Sequence, residues 1–272
     1  MRTELQKNEV WYGMWSEYGI WMPIDKEANF TARCLPNDSG NQVQPLLLSN
    51  HGRFIWGEDG FNAFVKDEIV TATLQNTAEE DDPSAPGRQP ELYEGFGTLR
   101  GAYLAASQKF FPASGKMPPE VFFRVPQYNT WIELVYNQNQ ADVLKYAHSI
   151  IENGMPAGIL MIDDNWSDYY GGWYFNKERF PDPKKMMDEL HEMGFKVMLW
   201  ICPFITPDRR EYRYLRDRNM LVRENLPDGG CRPRMVEWWN GISAVLDFSN
   251  PAAAEWPVTV IPATGWEMVL DL

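Results

Sequence analysis

The sequence contains few basic residues, and this scarcity argues against one class of partner. Twenty-five Lys and Arg stand against 38 Asp and Glu among 272 residues, which leaves a formal net charge of -13. Proteins that wrap nucleic-acid phosphates need a basic surface that displaces the counterions. We therefore expect no nucleic-acid partner.

Long hydrophobic runs and cysteines are also scarce. No apolar stretch approaches the roughly 18 residues that cross a bilayer, and Met1–Val10 holds no apolar segment of signal-peptide length. Cys34, Cys202 and Cys231 are too few and too far apart for a disulfide framework. With Met1 taken as the true start, we expect a globular protein of the reducing cytoplasm, without a membrane partner.

Motifs for metals, cofactors and covalent nucleophiles are missing as well. The three histidines, His51, His148 and His191, show no metal-ligand spacing with cysteines or carboxylates. The sequence has neither a Ser or Cys nucleophile motif nor a Gly-rich phosphate loop. We therefore expect no metal and no cofactor.

Aromatic residues, by contrast, are abundant. Twelve Trp, 12 Tyr and 14 Phe make up 14% of the chain. Most aromatic side chains pack hydrophobic cores. In an acidic chain rich in Trp they also suit sugar binding, where flat apolar rings and carboxylates lie side by side, and composition leaves both roles open.

Residues 1–115 have the pattern of an antiparallel β domain. Their short apolar segments, Pro45–Asn50, Arg53–Trp56 and Phe61–Val65, are separated by Gly, Asn, Asp and Pro, which is typical of strands between turns. The polar, proline-containing stretch Thr77–Pro90 predicts a solvated loop.

A helix follows near Gly97–Phe111 and leads to a second domain. Its predicted apolar face carries Leu99, Tyr103, Ala106 and Phe110. The proline-rich segment 112–119 ends this helix, and the second domain is predicted to begin at residue 116.

Strands and helices alternate in residues 116–256. Strands are predicted at Val121–Val125, Gly158–Ile162 and Phe195–Ile201. One helix is predicted over Asp142–Asn153, with Val143, Leu144, Ala147, Ile150 and Ile151 at helical spacing. A second begins after the N-cap Asp182, ends at Gly194 and carries Met186, Met187, Leu190 and Met193 on its apolar face. Fully apolar strands alternating with helices indicate an α/β domain with a covered parallel sheet.

The pattern becomes less regular toward residue 272. We predict a helix over Asp208–Asn219, a strand over Ala244–Phe248, and a helix that opens at Asn250–Pro251. Pro257 is expected to end this last helix after one turn. Residues 257–272 show no helical face.

Three strand ends are the best candidates for a site. In parallel α/β domains, substrates bind at the carboxyl ends of the strands, which here are followed by Gln127–Trp131, Asp163–Trp166 and Trp200–Phe204. The adjacent Asp163 and Asp164 repel each other unless cations, water or ligand hydroxyls satisfy them, so we take both as candidate ligand-binding residues. The alternative is that one caps a loop while the other faces solvent.

Three tryptophans accompany these strand ends, and two roles remain open for each. Trp131, Trp166 and Trp200 suit an aromatic wall for a sugar ring. They also suit packing at the end of the sheet.

Several motifs together resemble family 31 of the glycoside hydrolases, across most of the chain. They are Pro45-Leu-Leu-Leu-Ser-Asn-His-Gly52, Thr98-Leu-Arg-Gly-Ala-Tyr103, Phe111-Pro-Ala-Ser-Gly-Lys116, Pro126-Gln-Tyr-Asn-Thr-Trp131, Ile162-Asp-Asp-Asn-Trp166, Glu178-Arg-Phe-Pro-Asp-Pro-Lys184, His191-Glu-Met-Gly-Phe-Lys-Val-Met-Leu-Trp200 and Leu246-Asp-Phe-Ser-Asn-Pro251.

The resemblance implies an N-terminal antiparallel β-sandwich followed by a (β/α)8 TIM barrel. It also implies a retaining α-glycosidase, in which one Asp attacks the anomeric carbon and another protonates the leaving oxygen. The Asp that binds sugar hydroxyls after the second barrel strand corresponds to Asp163. The pattern Asp163-Asp164-Asn-Trp166 is also similar to that of related α-galactosidases, so a galactoside or another non-glucose α-glycoside is a candidate substrate.

The sequence departs from the family after Pro251. The roughly 150 residues from Val121 onward compare with about 250 in a complete barrel, and residues 257–272 match no nucleophile motif. We therefore expect an incomplete barrel of three or four strands, in a truncated or frame-shifted product without the catalytic nucleophile and acid. The frames downstream of Trp256 in the DNA test this expectation.

Two further functions remain as alternatives. One is a non-catalytic carbohydrate-binding or partner-assembling remnant that uses Asp163, Asp164 and the tryptophans without bond cleavage; an oligomer is compatible with the sequence. The other is an unrelated barrel enzyme with Asp163 and Asp164 as metal ligands, which is weaker because no third ligand has suitable spacing.

Overall fold

The computed structural model describes residues 1–34, 43–74 and 87–260 of the chain. Most of the predicted loop 77–90 and most of the tail 257–272 lie outside the described residues. The chain divides into two compact units, Met1–Lys116 and Met117–Leu272, whereas the sequence pattern places the boundary between residues 115 and 116.

Antiparallel strands dominate the described part of the first unit. Four strands form a sheet in the order β1-β7-β6-β3, and the others form a second sheet in the order β2-β4-β5-β8. The strands are β1 (Arg2–Glu4), β2 (Trp11–Trp15), β3 (Phe30–Ala32), β4 (Val43–Ser49), β5 (Phe54–Trp56), β6 (Phe61–Lys66), β7 (Ile69–Leu74) and β8 (Glu91–Tyr93). The three strands predicted in this region are confirmed as β4, β5 and β6. A 3-10 helix, Ser16–Trp21, follows β2.

Residues from both sheets pack into one core in this unit. Trp11 and Leu47 of one sheet and Phe61 and Val70 of the other are all fully buried members of the same cluster. In β6 the buried residues alternate with more exposed ones, the pattern of a sheet with one buried face.

Helix α1 (Leu99–Phe110) confirms the helix predicted near Gly97–Phe111, but its buried face differs from the prediction. The Thr98 side chain caps its N-terminus by accepting a hydrogen bond from the Gly101 amide. Ala102 and Ala106 are buried, whereas Tyr103 is 55% exposed. Small residues therefore form the contact surface, because they let the helix approach the neighbouring strands closely.

The second unit is built around a parallel sheet. Its strands are β9 (Gln127–Asn129), β10 (Ile159–Ile162), β11 (Ser167–Tyr169), β12 (Gly172–Phe175), β13 (Lys196–Leu199), β14 (Phe204–Ile205), β15 (Arg223–Asn225), β16 (Cys231–Pro233), β17 (Met235–Trp238) and β18 (Gly241–Val245). Its helices are α2 (Val121–Arg124), α3 (Trp131–Leu134), α4 (Gln140–Glu152), α5 (Pro183–Glu192), α6 (Arg210–Asp217) and α7 (Pro251–Val260). Within the described residues the parallel sheet has the order β13-β10-β9 and does not close into a barrel.

The central elements agree with the sequence pattern. Helix α4 buries Val143, Ala147 and Ile150, and α5 buries Met186, Met187 and Leu190. The Asp182 side chain caps α5 by accepting from the Lys185 amide, 3.0 Å away. Strand β10 pairs in parallel with both β9 and β13. The predicted parallel arrangement is confirmed for β10 and β13, whereas β9 joins them from residues that were predicted to follow a strand.

Three sequence predictions for this unit require correction. Val121–Val125 is not a strand: Val121–Arg124 forms a short helix without buried residues, and the strand begins at Gln127. The strand expected over Ala244–Phe248 runs from Gly241 to Val245, antiparallel to β14 and β17, and lies outside the parallel sheet. Pro257 does not end the last helix.

Helix α7 continues through Pro257 to Val260. Proline removes one backbone donor and crowds the carbonyl of the residue four positions earlier, here Ala253. Ala253 is fully buried, and the Trp256 ring centroid lies 5.1 Å from that of Trp173. Packing of the first two turns therefore outweighs the local cost of the proline. None of the helices in residues 1–34, 43–74 and 87–260 is long and apolar enough to span a membrane.

Candidate active site

The parallel register brings the three predicted strand ends to one edge of the sheet. Trp131 follows β9 by two residues, Asp163 follows β10 directly, and Trp200 follows β13 directly. The Thr130 amide donates to the Met161 carbonyl over 3.0 Å, and the Trp200 amide donates to the Ile162 carbonyl over 3.0 Å. The backbone hydrogen bonds between the strands therefore continue up to the site, and they fix the backbone that carries these side chains.

A cavity of about 300 Å³ lies at this edge. It is lined by Trp131, Tyr136, Asp163, Asp164, Trp200 and Trp239. Four of the five sequence-predicted site residues therefore line one cavity, in which two carboxylates face aromatic rings.

Asp163 is held by a buried hydrogen-bond chain and keeps one oxygen available. Its amide donates to the Thr130 hydroxyl over 3.0 Å, and that hydroxyl donates to the Gln138 side-chain oxygen over 2.7 Å. Its Oδ1 accepts from the Asp164 amide at 2.7 Å. Among the residues that the structure describes, none donates a hydrogen bond to Asp163 Oδ2, so this oxygen can accept from a ligand hydroxyl.

Asp164 has protein donors on both oxygens. Its Oδ1 accepts from the Asn165 amide at 2.7 Å, and its Oδ2 accepts from the Tyr170 hydroxyl at 2.8 Å. Burial raises the pKa of Asp164 above its ordinary value. The Tyr170 and Asn165 hydrogen bonds and, least of all, the Arg179 charge oppose this rise, and the Asp163 charge adds to it. The carboxylate is therefore oriented by neutral donors.

Trp166 does not line the cavity. Its side chain is only 2% exposed, and its ring packs edge-on against Phe175 with centroids 5.1 Å apart. The indole N–H donates to the Trp200 carbonyl over 2.6 Å. Trp166 thus fixes the strand end that presents Trp200, a supporting position beneath the cavity.

Tyr136, Tyr170 and Trp239 are absent from the sequence-predicted site. Tyr136 follows α3 and packs against Trp131 at a centroid distance of 4.9 Å. Trp239 occupies the two-residue turn between β17 and β18 and is 60% exposed. Tyr170 lies in the turn between β11 and β12. The sequence Tyr169-Tyr170-Gly171-Gly172, which begins five residues after Asp164, was the available signal for a hairpin beside the site.

Cys202 lies close to the site but is poorly suited to be a nucleophile. Its side chain is buried, and burial, with a smaller contribution from Asp164, raises the pKa of its thiol to about 12. The thiol is therefore protonated near neutral pH. Across residues 1–34, 43–74 and 87–260, no group of three or more His, Cys, Asp or Glu side chains is arranged to hold a metal ion.

Comparison with known proteins gives one family. The model of the glycosyl hydrolases family 31 TIM-barrel domain matches residues 115–262. The chain is 35% identical over 149 residues to the myogenesis-regulating glycosidase of Mus musculus, a match covering 55% of this chain and 20% of that protein. It is 24% identical over 273 residues to an alpha-xylosidase of Emericella nidulans, covering 93% of this chain and 31% of that protein.

Solved structures share the fold. A GH31 alpha-xylosidase from a soil metagenome, complexed with xylose, matches with a TM-score of 0.69 and 18% identity, over 96% of this chain and 35% of that one. The chain spans between about a fifth and a third of the length of these curated relatives. Because the family model covers more than half of its residues, the chain belongs to glycoside hydrolase family 31.

Proposed function

We propose that this chain carries the sugar-holding part of a retaining α-glycosidase that hydrolyses terminal α-linked sugars. Asp163, with an oxygen free to accept from a sugar hydroxyl, carries the proposal. Asp164 contributes a second, pre-oriented carboxylate. Trp131 and Trp200 offer apolar ring faces to the sugar, and Trp166 supports Trp200.

The two carboxylates are suited to holding a sugar rather than to cleaving it. Retaining hydrolysis needs two carboxyl groups that flank the glycosidic bond, about 5–5.5 Å apart. Asp163 and Asp164 are consecutive residues of one loop, and each orients its side chain through the next backbone amide. We therefore assign neither nucleophile nor acid/base to them and expect no turnover from this pair alone.

We also propose the fold to which each of the two units belongs. Strands β9, β10 and β13 are proposed as the first three strands of a (β/α)8 barrel, and the first unit as a β-sandwich. The parallel order and the match to the TIM-barrel family model support the first proposal. The core shared by two antiparallel sheets supports the second.

The substrate class is an α-linked glycoside or oligosaccharide. Relatives named alpha-xylosidase make an α-xyloside the first candidate, and an α-glucoside or α-galactoside are the next. Methyl α-D-xylopyranoside, methyl α-D-glucopyranoside and methyl α-D-galactopyranoside form the panel that separates these candidates.

The test measures binding of the panel by ligand-observed NMR to the wild-type chain and to Asp163→Asn. We expect a loss of about 10- to 100-fold in affinity, since a hydrogen bond to a charged group contributes about 1.5–3 kcal/mol. Asp188→Asn is the matched control, because Asp188 lies on the exposed side of α5 and forms an exposed ion pair with Lys184. Equal binding by wild type and Asp163→Asn would contradict the proposal.

Turnover of p-nitrophenyl α-glycosides tests whether the chain does more than hold the sugar. Binding without turnover agrees with a sugar-holding part and also with the non-catalytic alternative. Turnover by the purified chain that Asp163→Asn abolishes would show that this chain supplies more of the catalytic machinery than we assign to it.

A further inference from the structure

Arg209 links both strands of the β11–β12 hairpin. Its Nη1 lies 2.8 Å from Asp168 Oδ2 in β11, and its Nη2 donates to the Tyr174 hydroxyl in β12. The guanidinium carbon also lies 5.7 Å from the centroid of the Tyr174 ring. The planar donor set of one arginine is thus directed at two strands at once.

The turn of this hairpin fits closely against the segment that carries Arg209. The Tyr170 carbonyl accepts from the Thr206 hydroxyl at 3.1 Å, and the Arg209 amide donates to the Thr206 carbonyl over 3.2 Å. A Cβ on Gly172 would lie 2.7 Å from Arg209 Nη2, and a Cβ on Gly171 would lie 3.0 Å from the Ile205 side chain. Glycine at these positions allows the hairpin to sit against Ile205 and Arg209.

The same turn places Tyr170 against Asp164, which lines the cavity. Its hydroxyl donates to Asp164, and its ring packs edge-on against Trp238, with centroids 4.9 Å apart. Trp239, which lines the cavity, lies 6.1 Å from the same ring. Contacts therefore run continuously from Arg209, through the hairpin, to a carboxylate and an indole of the site.

Arg209 also forms a longer ion pair with Glu211, whose other carboxylate oxygen accepts a hydrogen bond from Arg210 Nε at 2.7 Å. Arg209 Nε and Glu211 Oε2 are 3.7 Å apart, and both atoms are buried without a hydrogen-bond partner. Leaving buried polar atoms unsatisfied has a free-energy cost. Among the described residues, the Arg209 guanidinium therefore contacts the hairpin residues Asp168 and Tyr174 more closely than it contacts Glu211.

We propose that Arg209 is a positioning residue for sugar binding, acting through Tyr170 on Asp164. This inference rests on the proposed function, because it assigns Arg209 a part in the same site. Without the Arg209–Asp168 pair, the hairpin turn would shift and the Tyr170 hydroxyl would no longer hold Asp164 toward the cavity.

A double-mutant cycle tests this dependence. Affinity for methyl α-D-xylopyranoside is measured for wild type, Arg209→Met, Tyr170→Phe and the double variant, with Arg216→Met as matched control, since Arg216 pairs with Asp217 on the exposed side of α6. We expect Arg209→Met to weaken binding about tenfold in wild type and less than about twofold in Tyr170→Phe, as for members of one network. Arg209→Lys keeps the charge but not the planar donor set, and should restore binding only in part.

The pH dependence of binding provides a readout that a general loss of stability would not move. Without the Tyr170 donor, burial and the Asp163 charge are opposed only by the Asn165 hydrogen bond and the Arg179 charge, so the pKa of Asp164 should rise further and the acid limb of the binding profile should move to higher pH. Arg209→Met should move it in the same direction as Tyr170→Phe. Asp168→Asn, which breaks the pair from its other side, should do the same and serves if Arg209→Met does not fold.

Two results would overturn the inference, and they differ. If Arg209→Met weakens binding equally in both backgrounds and leaves the pH profile unchanged, Arg209 does not act through Tyr170, while the proposed function stands. If the wild-type chain binds no member of the glycoside panel, the proposed function itself fails and this inference fails with it.

Discussion

Glu9 in the first unit and Asp164 in the second are both almost completely buried carboxylates, at 3% and 4% exposure, yet their surroundings differ. Glu9 is paired with Arg53, whose Nε donates to Glu9 Oε1 over 2.8 Å and whose Nη2 contacts Oε2. Within the described residues, Asp164 accepts hydrogen bonds only from a tyrosine hydroxyl and a backbone amide, and the Arg179 charge has only a minor influence on it.

The two pKa shifts follow from these partners. Burial alone would raise the pKa of Glu9, but hydrogen bonds from Arg53, the Gln6 amide and Ser49, together with the Arg53 charge, bring it below its ordinary value. For Asp164, burial prevails and the pKa is raised. The ionised Glu9 carboxylate, which has a cation partner, stabilises the folded state near neutral pH. The ionised Asp164 carboxylate, whose hydrogen bonds come from neutral donors, lowers the free energy of unfolding but remains available to a ligand.

Of the substitutions that test this comparison, Arg53→Met should change the free energy of unfolding the most. It leaves the charge of Glu9 buried without a cation, and we expect a loss of about 3–5 kcal/mol in the free energy of unfolding, the usual result of removing one partner of a buried pair. Urea denaturation of the full chain at pH 7 measures it.

Arg88→Met is the control for that experiment. Arg88 forms an exposed pair with Asp59 in the same unit, and exposed pairs contribute about 0–1 kcal/mol. Equal losses from both variants would show that the Glu9–Arg53 pair contributes no more than a surface contact. Because the pKa of Glu9 is lowered, the stabilisation from this pair should be present above the ordinary pKa of Glu and decline as pH falls through the folded value.

Tyr170→Phe removes the neutral donor at the other carboxylate. We expect a loss of about 1.5–3 kcal/mol, the range for hydrogen bonds to charged groups, and a further rise in the pKa of Asp164. Urea denaturation measures the first effect, and NMR titration of the Asp164 carboxyl carbon measures the second. Tyr169→Phe is the matched neighbour, since the Tyr169 hydroxyl accepts only a 3.3 Å bond from Asn240. An unchanged Asp164 pKa in Tyr170→Phe would contradict this account.

Asp164→Asn should have the smallest effect, and the opposite sign. An ionised Asp164 disfavours the folded state because its folded pKa is raised, so this penalty is present near pH 7 and vanishes below the ordinary Asp pKa of about 3.9. The amide carries no charge, and the Tyr170 hydroxyl can accept from it. We expect a gain below about 1 kcal/mol at pH 7, with weaker binding of sugar.

Denaturation of wild type and Asp164→Asn at both ends of this pH range measures that gain. The difference between them should shrink as the pH falls through the titration of Asp164. A gain that is independent of pH would show that the charge of Asp164 does not destabilise the fold.

Local sequence pattern predicted the elements whose apolar positions repeat regularly. Helices α4 and α5 and strands β10 and β13 were predictable because period and cap signals agree in them. Val121-Phe-Phe-Arg124 has a strand-like composition, but Phe123 is 65% exposed and the segment is helical. The composition of such a short segment does not show which of its side chains pack against another element.

The candidate site was predictable in part for the same reason. Asp163, Asp164, Trp131 and Trp200 lie within two residues of strand ends, so parallel pairing alone brings them together. Tyr136, Tyr170 and Trp239 arrive from a post-helix segment and two hairpin turns. Tyr136 and Tyr170 lie only five and six residues after Trp131 and Asp164, and the Gly171-Gly172 turn was a signal for a hairpin. Trp239 is distant in sequence from the carboxylates, and no sequence pattern grouped it with them.

By itself, the sequence determined the alternation of the second unit, its paired carboxylates and its resemblance to family 31, because these depend on residue order and local periodicity. Only the tertiary structure decided which carboxylate keeps a free oxygen, why Trp166 supports the cavity instead of lining it, and how Arg209 reaches Asp164 through a hairpin. Those features depend on contacts between segments, where burial and competition for donors assign each polar group its partner.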